Sequence, residues 1–149
     1  MPMLRSSLDA IRAKLRATFP HIPRIDVNYA PSGFQEPSFY VQWLEYDADS
    51  LNVSGYQAQF AWEIVYFPPT DEAGDPDLFD LLETAGRMLA AFMASPVLTA
   101  PDGSVFEIVE VQGGRRDDEA YLRIELSADV ERERPQYERM NSVRFDDVV

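Results

Sequence analysis

The sequence predicts an α+β fold, a mainly antiparallel β-sheet with two amphipathic helices packed on it. Three observations lead there. Residues 56–67 alternate with a period of two, whereas segments 3–19 and 76–94 repeat their apolar residues every three or four positions. The remaining strand-like runs follow one another through short turns with one central helix between them, an order that suits antiparallel pairing.

The first helix is read over residues 3–19, where Leu4, Leu8, Ile11, Leu15 and Phe19 form one stripe and Arg5, Arg12, Lys14 and Arg16 lie off it. Pro20 and Pro23 stop it, since neither has an amide proton and Pro20 disfavours a helical Phe19. Ile25 to Tyr29 reads as a short strand closed by a turn at Pro31-Ser32-Gly33. Residues 38–46 read as a strand with Phe39, Val41 and Trp43 on one face, and Asp47-Ala48-Asp49-Ser50 as the turn after it.

Over residues 56–67, Tyr56, Ala58, Phe60, Trp62, Ile64 and Tyr66 share one face, which is expected to lie under the helices with Phe60, Trp62 and Ile64 in the core. Twelve residues at 3.2–3.4 Å each span roughly 40 Å, about twice the usual strand. Such a strand should outrun its own domain. Pro68 and Pro69 end it.

The second helix is placed at 76–94, with Asp75 as N-cap, Pro76 at its first position and Asp77 and Asp80 in the first turn. Its expected buried stripe is Leu78, Leu81, Leu82, Ala85, Leu89, Phe92 and Met93. A meander follows: strands at Val97–Thr99 and Ser104–Val111, a polar turn at 113–118, and a strand in which Leu122, Ile124 and Leu126 alternate with Tyr121, Arg123 and Glu125. Residues 129–139 are too charged for a core, and Met140 to Phe145 are expected to form a closing strand.

The chain of 149 residues has the length of one domain and carries a net charge of −13. Its first 24 residues hold a net +4, so the body carries −17. This balance argues against bulk attraction to nucleic acid or anionic lipid. The absence of cysteine excludes disulfides, thiolate metal sites and cysteine nucleophiles. Charges interrupt every candidate leader, and no apolar run reaches the roughly 20 residues of a membrane span, so the chain reads as soluble and made in the cytoplasm.

His21 stands alone, and with no second histidine every metal or triad scheme lacks a partner. The acidic run Asp71, Glu72, Asp75, Asp77, Asp80 lacks the register of a calcium loop and reads as helix-start acids. Phosphate-loop and nucleophile-elbow patterns are missing. The aromatic stripe lacks the basic groove of a single-strand binder. The expectation is therefore no enzyme, with no catalytic residue, metal or cofactor.

Several segments taken in order resemble the tail terminator proteins of long-tailed phages and prophages, the Gram-positive type in particular. The first helix ends in Leu15-x-x-x-Phe19-Pro20, and Gln35-Glu36-Pro37-Ser38-Phe39-Tyr40-Val41 is similar to the family's proline and aromatic pair opening a strand. Phe60-Ala61-Trp62-Glu63-Ile64-Val65-Tyr66-Phe67-Pro68 resembles the family's long strand ending in Tyr-Phe-Pro, and Glu138-x-Met140-x-x-Val143 its closing strand.

The resemblance implies a single domain over 1–149, with a flexible or extended C-terminal part from about residue 128. It implies a ring, expected to have six subunits, that caps the tail tube, stops its polymerisation and offers a surface to the head. The implied partners are further copies of the chain, the tail tube protein and a head–tail connector or stopper, with neither specific nucleic acid nor membrane. The place is the head-proximal end of the virion tail, after assembly in the host cytoplasm. Alternatives are another head–tail joining or minor tail protein, or an acidic DNA-mimicking inhibitor. Arg12 and Arg16 on the basic helix, with Tyr66 and Phe67 at the end of the long strand, are the candidate oligomer or tube interface.

Overall fold

The computed structural model describes residues 3–27 and 37–133. Helix α1 spans Met3–Thr18, and its stripe packs as its periodicity predicts, with Leu8, Ile11, Leu15 and the following Phe19 buried. The same face also buries Ser6 and Ser7, small enough for the helix to approach the sheet closely.

Strand β1 is Ile25–Asp26, β2 Ser38–Asn52 and β3 Gly55–Phe67; helix α2 is Leu78–Met93, followed by β4 Val97–Thr99, β5 Val105–Arg116 and β6 Glu119–Glu131. They form one curled six-stranded sheet in the order β1-β2-β3-β6-β5-β4, antiparallel except for the β1–β2 pair. The α+β class stands, and Phe60, Trp62 and Ile64 are buried together under the helices. The indole of Trp62 donates to Ser7 Oγ at 2.9 Å, and that hydroxyl donates to the carbonyl of Leu4 at 2.7 Å. This relay satisfies a buried N–H and ties α1 to the central strand.

Two expected turns are strand. Asp47 to Ser50 continue β2, pairing with residues 56–59, and the chain reverses at Val53-Ser54 with Asn52 Oδ1 accepting from the Ser54 amide at 2.9 Å. Aspartates are poor strand formers in general, but on a solvent-exposed edge their charge carries little penalty and discourages stray pairing. Gly113 and Gly114 likewise lie inside β5, and the turn is confined to Asp117-Asp118, where Asp117 has φ of 52°. Close approach, not turning, explains these glycines: a Cβ on Gly113 would stand 2.6 Å from the carbonyl oxygen of Tyr121, and Gly114 lies against the Tyr121 ring.

The start of α2 also differs. Asp77, not Asp75, is the N-cap, with extended backbone and its carboxylate accepting from the Asp80 amide at 3.1 Å. Pro76 is drawn instead into a bridge with Thr70, and Asp71 accepts from the amides of Ala73 and Asp75, each at 2.9 Å. The helix is also rotated from expectation. It buries Leu81, Thr84, Met88 and Phe92 and leaves Leu78, Leu82, Leu89 and Met93 exposed. The reason lies beneath it: the Tyr66 hydroxyl points up from β3 to Asp80 and Thr84, which turns that polar side inward.

Single-residue bulges at Leu44 in β2 and Val109 in β5 break the register at adjacent levels and bend the sheet. The expected turn at 31–33 and closing strand at 140–145 lie outside the described residues.

Candidate functional site: the helix-free face of the sheet

In an antiparallel sheet, directly paired residues share a face, so the pairing register sorts every side chain. The face bearing Phe39, Val41, Trp62, Ile64, Leu122, Ile124 and Leu126 is covered by the helices. On the opposite face β2 presents Glu45, Asp47 and Asp49; β3 presents Glu63; β6 presents Glu119, Glu125 and Asp129; β5 presents Glu107 and Glu110. Among the described residues on these strands, Arg116 and Arg123 are that face's cations.

Carboxylates at this density are held by a small network. Glu63, 7% exposed at the middle of the face, accepts from Gln42 at 2.9 Å and from Arg116 at 2.8 Å. Arg116 stacks its guanidinium over the Tyr121 ring, 4.5 Å from the centroid, and the bond from Glu63 holds it still more firmly protonated. Arg123 donates to Glu45 at 2.6 Å across the strands. Glu119, half-buried, has its carboxyl pushed up chiefly by burial, against the pull of Arg116 and with Asp117 and Glu63 adding to the rise. Around this centre Glu107, Glu110, Asp47, Asp49 and Asp129 remain exposed.

The sheet is unpaired at both long edges among the described residues. β1 covers β2 only at Phe39 and Tyr40, and β4 covers β5 only from Val105 to Glu107. The four long strands alternate in direction, so the two open edges run antiparallel to each other.

The candidate interface residues are scattered. Arg16 is exposed on α1; Arg12 is half-buried, and among the described residues its Nε is enclosed without a hydrogen-bond partner. Tyr66 is fully enclosed in the subunit, its hydroxyl donating to Asp80, and burial followed by that bond raises its pKa. Phe67 is half-buried at the end of β3. The acidic face itself was hidden in the sequence, where the alternation was visible but the strand partners were not. Among the described residues no group of three His, Cys, Asp or Glu side chains could hold a metal ion, and no helix is long and apolar enough to cross a membrane.

The described residues thus form a helix-backed sheet with one acidic face and two open edges. A family model described as phage tail terminator protein matches residues 8–138, and the chain belongs to that family. It is therefore a phage structural protein of the virion tail that interacts with other tail proteins. No curated protein matches it. Among the solved structures that align with it, one is 16% identical over 87% of this chain and 98% of its own, with a TM-score of 0.37.

Proposed function

We propose that this protein is the ring that ends the tail: copies, six in the simplest case, associate side by side, cap the tube, stop its polymerisation and present the surface to which the head is joined. One observation carries this reading, the acidic helix-free face bounded by two open edges of opposite strand direction. A contact between unlike edges forms a ring when its rotation closes on itself. Rotation sets the β2 edge of each copy antiparallel beside the β5 edge of the next, continuing the alternation of the sheet. The curled acidic face then lines the channel, where its carboxylates repel the phosphates of passing DNA and keep the genome from adhering.

Within this reading the protein meets itself laterally, the tail tube protein at one ring face and a head–tail connector or stopper at the other, at the head-proximal end of the tail. It acts without catalysis or cofactor. Arg12 and Arg16 supply positive charge toward an acidic neighbour or the tube, and Phe67 supplies apolar contact. Tyr66 contributes from inside, by anchoring the start of α2.

Light scattering and negative-stain micrographs of the full chain, alone and with assembled tubes, test the proposal. Closed rings in solution or on tube ends are expected. Monomers throughout, with bare tube ends, would overturn it.

A further inference from the structure

Helix α2 carries more apolar surface than its own subunit uses. Leu78, Leu82, Leu89 and Met93 follow one line along it and are 46%, 70%, 48% and 61% exposed, about a quarter-turn from the stripe of Leu81, Met88 and Phe92 that faces the core. Beneath this line the helix and the β5–β6 hairpin enclose a groove walled by Leu82, Ala85 and Leu89 and floored by Gly113, Tyr121 and Leu122. An uncovered stripe of this kind on a monomer marks an interaction surface.

The opposite edge of the sheet holds a second uncovered apolar group. On β2, on the same helix-bearing face, Trp43 and Tyr46 stack with ring centroids 5.5 Å apart and are 47% and 66% exposed. The Trp43 N–H already donates to the Glu45 carbonyl at 3.2 Å, so its ring can be dried without losing a hydrogen bond.

We propose that these are the two halves of one contact between copies of this chain: the Trp43–Tyr46 pair of one subunit seats against the α2 stripe and its groove on the next. This rests on the ring reading above and names the surfaces that close it. Two features single out a second copy. Both surfaces lie on the same face of the sheet at its two open edges, so the rotation that sets β2 beside β5 carries the pair under the neighbour's α2. Their levels agree, because Val41, Ile64, Leu122 and Gly113 form one cross-strand row and Trp43 stands in the next. Trp and Tyr are also the residue types that most often dominate protein contacts.

The chain has no cysteine, which permits a direct test. Two single variants of the full chain, Trp43→Cys and Leu82→Cys, are purified separately, mixed, and oxidised with and without tubes. The mixture is expected to give a disulfide-linked dimer and either variant alone none. A dimer from one variant alone, or none from the mixture, overturns the proposal. In parallel, Trp43→Ser/Tyr46→Ser and Leu82→Ser/Leu89→Ser are each expected to weaken self-association at least tenfold by sedimentation velocity, with parental far-UV circular dichroism. Variants that form rings as readily as the parent refute this contact and leave the ring reading intact, whereas a parent that never forms rings removes both. Loss of rings in the α2 variant alone means that another protein covers the stripe, and the proposal fails.

Discussion

Arg116→Met is the sharpest test of how the acidic face is held. The substitution keeps most of the apolar stem over Tyr121 but removes the guanidinium, leaving Glu63 its hydrogen bond from Gln42. Breaking a fully buried pair costs about 3–5 kcal/mol and an exposed one about 0–1 kcal/mol. The Glu63 side chain is 9% exposed but that of Arg116 is 48% exposed, so solvent screens part of the loss and about 2 kcal/mol is expected. With a urea m-value of about 2 kcal/mol/M, the midpoint should fall by about 1 M. Because Glu63 then sits among like charges, added salt should recover more stability in the variant than in the parent. Adding Glu63→Gln to Arg116→Met should restore about half the loss, since the buried charge is gone. An Arg116→Met midpoint within 0.2 M of the parent at low salt, or no recovery in the double variant, would refute the account of Glu63 as a buried charge held by Arg116.

Other expectations follow from single contacts. Ser7→Ala removes the acceptor of the Trp62 indole and should cost about 1–2 kcal/mol in urea unfolding followed by tryptophan fluorescence. Two glycines should behave oppositely in thermal melts: Gly113→Ala puts a methyl 2.6 Å from the Tyr121 carbonyl oxygen and should destabilise by about 1–3 kcal/mol, while Gly86→Ala, with open space around its Cβ in mid-helix, should stabilise by up to about 1 kcal/mol. Asp102 accepts from Ser6 Oγ and the Ser104 amide, and these bonds, the first foremost, lower its carboxyl below the ordinary 3.8. The stability it contributes is present above pH 3.8 and lost as pH falls through the lowered value, so Asp102→Asn should flatten the acid side of a stability–pH curve.

Much of the fold is written locally. Period-two alternation identified β3 and its buried face, and the four-three-four spacing of Leu4, Leu8, Ile11 and Leu15 identified α1, because both signals need only the geometry of one element. The family could likewise be recognised from motifs in chain order. Tertiary contacts decided the rest. Asp47 to Ser50 carry turn residues yet form strand, because β3 supplies a partner for each of them. Gly113 and Gly114 read as a turn yet sit in β5, because β6 pairs with both of them, and the Tyr121 carbonyl leaves no room for a Cβ at position 113. Helix α2 has apolar residues on two adjacent sides, so its periodicity alone left its buried side open; the Tyr66 hydroxyl, meeting Asp80 and Thr84, selects one side and leaves the other exposed. The acidic face belongs to the same class. Glu63 and Arg116 are 53 positions apart, and only the register of four strands, a property of pairing that no single strand encodes, brings the carboxylates of β2, β3, β5 and β6 onto one surface.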